Sequence, residues 1–377
     1  MVDVADATTL PADLAGRVAI VQDHLVQQSG GERGLLSMRK ALPGAAVYTS
    51  FYVPEAVYPE FRAMEIIPSP LNRVGPLRRH HRAALPLLAP AFSAMRVDAD
   101  VVVCGTSGWA QGVRTEGRKV LYFYAPSRWL YERDAYVRNR GAAARVAITA
   151  LAPALKWWDR RTVASAVRFV TEGTAMRALL RDLYGVDADI VPLPATLDPA
   201  DPRVPANGIE PGFWLCPTRL VPYKNVDILL RAFADLPDER LVICGDGSER
   251  GALAALAPPN VALLPTAPDG LLRWLYANCD GVISAAFEPF GLTPVEGARF
   301  GKPTVALAAG GFLDTVIPDV TGVRFATAEP LAVVGAVRAF RQRSFDPATI
   351  VAHSEEYSED RYIARIRAIV AEELAAG

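Results

Sequence analysis

Short apolar runs recur along the chain and alternate with amphipathic stretches that have helical spacing. In the first half these runs lie at residues 17–21, 45–50, 99–105, 119–124 and 167–171. In the second half they lie at residues 213–216, 241–244, 261–266 and 281–286. Continuous apolar runs of this length are typical of strands that are buried on both faces of a parallel sheet. The alternation predicts an α/β protein with doubly wound parallel sheets.

A proline-dense segment separates the two sets of strands, and prolines of this density are typical of an interdomain linker. A chain of 377 residues also exceeds the size at which one hydrophobic core stops growing. We therefore predict two Rossmann-like domains at residues 17–192 and 212–355, joined by a linker at 193–211. A flexible leader is expected at 1–16. An amphipathic helix at 356–377 is expected to pack back on the first domain.

The overall charge is balanced, with 40 Lys and Arg against 41 Asp and Glu. No global field therefore points to nucleic acid or to an anionic membrane as a partner. The four cysteines lie far apart in the sequence, and no two of them form a C-x-x-C motif. This indicates free thiols in a reducing compartment. Residues 1–16 lack the basic start and apolar core of a signal peptide. We expect a cytoplasmic protein.

One basic patch stands out from this balance, in the segment 73–82. It consists of Arg73, Arg78, Arg79, His80, His81 and Arg82. A solvated helix face is one interpretation of the patch. Contact with an acidic acceptor or with phospholipid headgroups, as weak peripheral membrane binding, is the other.

The stretch with the most chemistry follows the run at 281–286. Glu288 lies at the carboxyl end of this predicted strand, and Glu296 follows eight positions later, in a helix expected to start near Pro294. Ligands of open α/β sheets bind at this edge, and the free N–H groups of a helix start attract phosphate. Two carboxylates around such a start suit a molecule with central phosphates and hydroxyls at both ends, such as a nucleotide sugar. The alternative is a surface loop whose acidic residues favour the helix dipole.

Two cations, Arg219 and Lys224, follow the strand at 213–216 and are five positions apart. Cations at a helix N-terminus oppose the helix dipole, so an anionic ligand explains them better than a solvated surface does.

The stretch 287–298 resembles the E-x7-E signature of retaining glycosyltransferases of the GT-B fold, in particular family 4. The resemblance implies that Glu288 contacts the donor sugar and that Glu296 binds the nucleotide ribose. It also implies that Arg219 and Lys224, in an R-L-x-x-x-K match, neutralise the leaving diphosphate, which makes Glu288, Arg219 and Lys224 the catalytic set. The other residues implied for the donor site are Phe290, Gly291, Leu292, Thr293, Gly30, Gly31, Gly245 and Thr266.

The segment 122–134 is similar to the C-H-T-P-M-R-Y segment of mannosyltransferase-like members of this family. The family histidine falls at Tyr124, and this departure puts any role carried over from the histidine in doubt. Tyr124, Arg128 and Trp129 are expected to line an acceptor cleft, together with His24. A place in the core is the alternative for Trp129 and for His24.

The resemblance implies a GT-B fold, with two Rossmann-like domains facing a central cleft. It implies a retaining, front-face transfer from a nucleotide sugar to a hydroxyl of a glycan, glycolipid or secondary metabolite, with no cofactor and no metal. Two D-x-D triplets, at 98–100 and 187–189, abut strand starts, the wrong edge of a parallel sheet for a ligand. Another hypothesis is a GT-B relative that is not a transferase, such as a nucleotide-sugar epimerase or a sugar-phosphate phosphorylase. Neither an epimerase signature nor the Schiff-base lysine of a cofactor-dependent phosphorylase is evident. The other hypothesis is a catalytically idle nucleotide-sugar-binding partner of another transferase.

Overall fold

The computed structural model describes residues 10, 14–79, 84–131 and 142–377, with side chains except at positions 128, 129 and 142–148. The chain divides into two compact units. The first unit contains Met1–Glu172, Met176–Pro192 and Asp360–Gly377, and the second contains Gly173–Ala175 and Leu193–Glu359. Each unit is built around its own parallel sheet.

The sheet of the first unit has the order β3-β2-β1-β4-β5-β6-β7, with parallel pairing throughout. Its strands are β1 (Val18–Gln22), β2 (Ala46–Thr49), β3 (Ile66–Pro68), β4 (Val101–Thr106), β5 (Arg118–Phe123), β6 (Arg168–Thr171) and β7 (Asp189–Ile190). The apolar β1 and β4 are fully buried and pair with each other. The strand order reverses between them, so their carboxyl ends form the switch point at which such sheets bind ligands.

The sheet of the second unit has the order β10-β9-β8-β11-β12-β13, again parallel. Its strands are β8 (Trp214–Pro217), β9 (Leu241–Cys244), β10 (Val261–Leu264), β11 (Gly281–Ser284), β12 (Thr304–Leu307) and β13 (Gly322–Phe325). Here the order reverses between β8 and β11, where Gly281 pairs with Trp214 and Val282 with Leu215. This reversal places the loops after β8 and β11 side by side.

Helices cover these sheets, and several of them bury apolar positions at helical spacing. In Val226–Ala234, for example, Val226, Leu229, Leu230 and Phe233 are buried. The other described α-helices are Gly30–Ala41, Gly75–Arg79, Leu85–Ala94, Arg128–Tyr131, Ala142–Val163, Thr174–Tyr184, Arg250–Leu256, Asp269–Asn278, Leu292–Arg299, Phe312–Thr315, Pro330–Arg341, Pro347–Ser354 and Glu359–Ala375. Described 3-10 turns lie at Pro59–Ala63, Pro70–Arg73, Ala110–Gly112, Pro222–Lys224 and Glu355–Tyr357.

The C-terminal helix Glu359–Ala375 returns to the first unit. Its apolar positions Tyr362, Ile366, Ile369 and Val370 are buried. The Tyr362 ring packs edge-on against Tyr122, with 6.1 Å between ring centroids. Near the other end of the helix, Arg118 Nε and Glu373 Oε2 form an ion pair of 2.6 Å. The helix is therefore part of the first unit's core.

Two segments differ from their predicted roles. The proline-dense residues 193–211 pack on the second unit: Leu197 is buried, and the Val204 N–H donates to the Gly270 carbonyl at 2.9 Å. Within the predicted leader, Leu10 and Leu14 are buried, and the Leu14 N–H donates to the Pro43 carbonyl at 3.0 Å. Residues 1–9 and 11–13 lie outside the described residues.

The basic patch lies partly within the described residues. Arg73 ends a 3-10 turn, and Arg78 and Arg79 end the helix Gly75–Arg79. His80, His81 and Arg82 lie outside the described residues, so membrane contact through this patch stays a prediction. In the part of the chain that the structure describes, no helix combines the length and apolarity needed to cross a membrane.

Candidate functional site

Two loops meet where the strand order of the second sheet reverses. β8 leads through Arg219 to the turn Pro222–Lys224, and β11 leads to Glu288. The Lys224 ammonium and the Glu288 carboxylate form an ion pair, and their side chains are only 10% and 22% exposed. The Asn225 amide, on a residue with φ of 52°, donates to the Ala285 carbonyl at 2.9 Å. These contacts join the two loops and place a cation and an anion at the carboxyl edge of the sheet.

The helix Leu292–Arg299 begins three residues after Pro289. Its N-cap, Gly291, has φ of 86°, and a Cβ at this position would lie 2.5 Å from the Phe312 ring. Only glycine fits both the left-handed backbone and the close contact. The first N–H groups of an α-helix have no intrahelical partner. The backbone of Leu292 and Thr293 therefore presents hydrogen-bond donors in the same loop as the Lys224–Glu288 pair.

A second glycine loop supports the Glu288 loop from behind. The Gly311 N–H donates to the Glu288 carbonyl at 2.8 Å. A Cβ on Gly311 would lie 1.9 Å from the Phe290 carbonyl oxygen, and a Cβ on Gly310 would lie 2.1 Å from the Glu288 carbonyl oxygen. The two backbones approach too closely for any other residue. The position of Glu288 thus depends on this pair of glycines.

Glu296 lies one turn into the same helix, and its orientation is fixed by a buried tyrosine. The Tyr276 hydroxyl donates to Glu296 Oε2 at 2.8 Å. Burial, reinforced by the nearby Glu296 carboxylate, raises the pKa of Tyr276 well above its ordinary value. Tyr276 therefore stays protonated and donates to one carboxylate oxygen of Glu296.

Arg219 is exposed on the β8 side of the site, and Tyr223 lies between it and Lys224. The Arg219 guanidinium donates to the Tyr223 hydroxyl. The Tyr223 ring centroid is 5.9 Å from Arg219 Cζ and 5.3 Å from Lys224 Nζ, within cation–π range. Sequence reasoning did not assign Tyr223 a role, because nothing in its linear position shows that it touches both cations.

The remaining donor-site predictions have different outcomes. Gly245 has φ of 157°, and a Cβ there would lie 1.8 Å from the Thr218 carbonyl, so the β9 loop packs directly on the β8 loop. Thr266 is exposed in the loop after β10. Phe290 is 3% exposed, and its ring centroid lies 5.7 Å from that of Tyr357. The Phe290 side chain is therefore part of the core beneath the loop, and contact between Phe290 and the donor stays a prediction.

At the switch point of the first sheet, a buried carboxylate that sequence reasoning missed holds the loop after β4. Asp23 accepts from the N–H groups of Ser107 and Ala110, both at 2.6 Å, and of Trp109 at 3.1 Å. Burial raises the pKa of Asp23 to about 6, although these backbone hydrogen bonds lower it. An apolar-run analysis could not find this residue, because its partners come from the loop after β4, which is distant in sequence.

The predicted acceptor residues lie at or near the same edge. The Tyr124 hydroxyl donates to Gln22 Oε1 at 3.4 Å, over Gly105, where a Cβ would lie 2.8 Å from that hydroxyl. Burial raises the pKa of Tyr124 well above its ordinary value, so it stays protonated. His24 is half-buried in the loop after β1. Arg128 begins the short helix Arg128–Tyr131, but its side chain and that of Trp129 lie outside the description.

Gly30 and Gly31 were predicted to form a loop that approaches the donor. They are instead the first two residues of the helix Gly30–Ala41. The N-cap Ser29 hydroxyl donates to the Glu32 carboxylate, an arrangement that starts the helix before the glycines can form a loop. Their open N–H groups still point out of the helix N-terminus.

The two D-x-D triplets are engaged with arginines. Asp100 pairs with Arg17 at 2.9 Å. Asp187 pairs with Arg177 at 2.6 Å and Arg181 at 2.9 Å, and these hydrogen bonds hold its pKa below its ordinary value. Asp189 pairs with Arg168 at 2.5 Å. Across the described ranges, no group of three or more His, Cys, Asp or Glu side chains is arranged to hold a metal ion.

Residues 201–345, which contain the Lys224–Glu288 pair, match the family model described as Glycosyl transferases group 1. A D-inositol 3-phosphate glycosyltransferase from Xylanimonas cellulosilytica is 28% identical over 389 residues, covering 88% of this chain and 90% of that protein. A glycogen synthase from Thermus thermophilus is 34% identical over 143 residues, covering 36% of this chain. This match spans only 33% of the glycogen synthase.

Among solved structures, HepE from Anabaena in complex with UDP-glucose has a TM-score of 0.66 at 17% identity. The likeness covers 96% of this chain and 100% of that one. It confirms the predicted GT-B fold, with two parallel-sheet α/β domains. The two sequence relatives are named as a glycosyltransferase and a glycogen synthase, and the likeness to HepE concerns the fold.

Proposed function

We propose that this chain is a retaining family 4 glycosyltransferase, which moves a sugar from a nucleoside-diphosphate sugar to a hydroxyl acceptor. The observation that carries the proposal is the Lys224–Glu288 ion pair at the switch point of the second sheet, in the loop that enters the helix Leu292–Arg299. A cation, a carboxylate and a helix start at one sheet edge match the phosphates and hydroxyls of such a donor. The family model and the nucleotide sugar in the HepE structure support this interpretation.

In this proposal the bound donor separates the Lys224–Glu288 ion pair and contacts each of its members. The diphosphate lies against the N–H groups of Leu292 and Thr293 and takes Lys224 and Arg219 as its cations. Hydroxyls of the sugar donate to Glu288. Hydroxyls of the ribose donate to Glu296, which Tyr276 already orients through its 2.8 Å hydrogen bond.

The proposed reaction needs no protein nucleophile and no metal. The bond between the anomeric carbon and the diphosphate oxygen breaks, and the acceptor oxygen bonds to the same face of that carbon. The acceptor proton passes to the departing diphosphate oxygen. Negative charge grows on the diphosphate as the bond breaks, so Lys224 and Arg219 stabilise the transition state more than the bound donor.

We place the acceptor at the carboxyl edge of the first sheet, near His24 and Tyr124.

One observation favours the second candidate, an idle nucleotide-sugar-binding partner. Tyr124 replaces the histidine of the resembling family, its pKa is raised, and its hydroxyl is directed to Gln22. Peripheral membrane contact through the patch at 73–82 and a cytoplasmic location stay predictions.

Turnover separates the two candidates. The protein is incubated with UDP-, GDP-, dTDP- and ADP-sugars and a panel of glycan, glycolipid and small hydroxyl acceptors. Release of nucleoside diphosphate is measured, and NMR determines the anomeric configuration of the product. The proposal predicts release with one base series and a product with the donor's configuration, both lost in Glu288→Gln. Donor binding without release for every acceptor would favour the idle partner, and an inverted product would exclude the retaining reaction.

A further inference from the structure

A groove of about 700 Å³ opens on the second unit at the C-terminal end of the helix Leu292–Arg299. Its cationic lining consists of Arg203, Arg299 and Lys302, and its apolar lining includes Phe300 and Val351. The helix has eight residues, so the groove lies about 12 Å along the axis from the proposed diphosphate position. It is separate from the donor site, and the proposed reaction does not use it.

Within the part of the chain that the structure describes, the three cations of the groove form no ion pair with a carboxylate. Arg299 Nη1 donates to the Ala195 carbonyl and Arg203 Nη2 to the Pro199 carbonyl, both at 3.1 Å. Neither arginine, nor Lys302, has a carboxylate within ion-pair distance among the residues that the structure describes. Each guanidinium keeps further N–H donors for a ligand.

Three acidic residues that adjoin lining positions of the groove in sequence have other partners. The Asp346 carboxylate caps the helix Pro347–Ser354 by accepting from the N–H groups of Ala348 and Thr349. Asp201 forms an ion pair with Arg273 at 2.6 Å. Asp198 accepts from the Ala200 N–H at 2.9 Å. A concave surface with three such cations and an apolar wall favours a small anion that carries an apolar or ring-shaped body.

The apolar wall of the groove is connected to the proposed ribose contact. The Phe300 ring stacks on Tyr276, with 5.4 Å between centroids and 16° between planes. The Tyr276 hydroxyl in turn donates to Glu296 Oε2 at 2.8 Å. Only two side chains therefore separate the groove from Glu296. A displacement of the Phe300 ring would move the Tyr276 ring that it stacks on, and so the hydroxyl that donates to Glu296.

We propose that this groove binds a small phosphomonoester, whose phosphate contacts Arg203, Arg299 and Lys302 and whose body packs on Phe300. An occupant holds the Phe300 ring against Tyr276, which fixes Glu296 and tightens nucleotide binding. The binding half of this inference stands on the groove alone. The coupling half rests on the proposed function, because it requires a nucleotide at Glu296.

Phenyl phosphate is the probe for the binding half, measured by titration calorimetry. The Arg219→Ala protein is used, so that the proposed diphosphate site is weakened. Adding Lys302→Glu should weaken phenyl phosphate binding at least tenfold, and Arg203→Glu repeats the test from the other side of the groove. Arg338→Glu, on an exposed helix face of the same unit, is the matched control and should change binding less than twofold. Binding that neither groove substitution weakens would overturn the inference.

The coupling half is tested by measuring nucleoside diphosphate affinity in the otherwise unmodified protein, with and without saturating phenyl phosphate. We expect the nucleotide to bind about fivefold more tightly with the probe present, with reciprocal tightening of the probe. Tyr276→Phe, which removes the hydroxyl bonded to Glu296 at a position outside the groove lining, should keep probe binding and lose the coupling. Weaker nucleotide binding that persists in Lys302→Glu would show competition at the donor site and contradict the coupling. If no nucleotide binds at all, the proposed function fails, while the calorimetric result still decides the groove.

Discussion

At the level of single residues, the Lys224–Glu288 pair is held largely out of water by the loops around it. The side chains of Lys224 and Glu288 are only 10% and 22% exposed to solvent. Removing one partner of a pair held this way leaves the other charge uncompensated. A bound donor can take over both partners, because its diphosphate is anionic and its sugar hydroxyls are donors. The pair thus keeps each charge neutralised until the donor arrives.

Loss of the Lys224 cation should lower kcat more than it lowers donor affinity. We expect Lys224→Ala to reduce kcat by about 10²- to 10³-fold, the usual effect of removing one group that stabilises transition-state charge. Steady-state kinetics measures this, with Arg338→Ala as the control cation substitution. If kcat were unchanged in Lys224→Ala, Lys224 would have no role in the departure of the diphosphate.

The buried Asp23 carboxyl should make stability depend on pH. Its pKa is raised from 3.8 to about 6 by burial, so the folded state binds its proton more tightly than the unfolded state does. Its stabilising contribution is complete below pH 4 and falls by about 3 kcal/mol as the pH rises through 6. Denaturant unfolding between pH 4 and 7 should show this fall in the unmodified protein. The fall should be absent in Asp23→Asn, and an identical pH profile in both proteins would disprove the assignment.

Sequence reasoning located residues at the ends of strands better than it located their partners. The positions of Glu288, Glu296 and Lys224 follow from apolar runs and spacing along the chain. Asp23 and Tyr276 were missed as functional residues because their contacts come from distant elements. Spacing also could not show that the Phe290 ring turns into the core, because it does not fix the direction of a loop side chain.

At the level of elements, two glycine-bearing loops set the geometry of the site. Gly291 starts the helix Leu292–Arg299 with a left-handed backbone, and Gly311 packs on the loop that carries Glu288. Neither contact tolerates a Cβ. The Glu288 carboxylate is thus positioned by backbone packing from the loop after β12 as well as by its own strand.

A methyl group at Gly311 should displace the Glu288 loop. The added Cβ would lie 1.9 Å from the Phe290 carbonyl oxygen, so Gly311→Ala should cost about 1–3 kcal/mol of stability and reduce turnover. Gly335→Ala is the matched control, since a Cβ there meets nothing within 4 Å in the helix Pro330–Arg341. The control should gain about 0.5–1 kcal/mol. Equal stability of the two variants, measured by denaturant unfolding, would contradict the packing described.

Strands with long apolar runs could be predicted, and short strands could not. The run at 241–244 matches β9 residue for residue, but β7 has only two residues and is too short to give a pattern. The proline-dense segment was read as a linker from composition alone. Its apolar residues, such as Leu197, bury on the second unit, and composition cannot show this.

At the level of the whole molecule, the chain crosses from the first unit to the second and returns. The last helix contributes Tyr362 to the first unit's core, while the proposed donor site lies entirely in the second. Tyr362→Ala should therefore cost about 3–5 kcal/mol of stability in the first unit. Nucleotide affinity at temperatures where the variant is folded should stay within twofold. A parallel loss of nucleotide affinity would show that the donor site depends on the last helix.

The most direct test of a nucleotide-sugar site in the second unit is titration calorimetry with UDP, GDP, dTDP and ADP. It compares the unmodified protein with Arg219→Ala, Glu296→Ala and the control Arg338→Ala. We predict that one nucleotide binds the unmodified protein and the control alike, and that binding weakens at least tenfold in the other two variants. If no nucleotide binds the unmodified protein, or if Arg219→Ala and Glu296→Ala bind as the control does, the donor site has been assigned to the wrong residues.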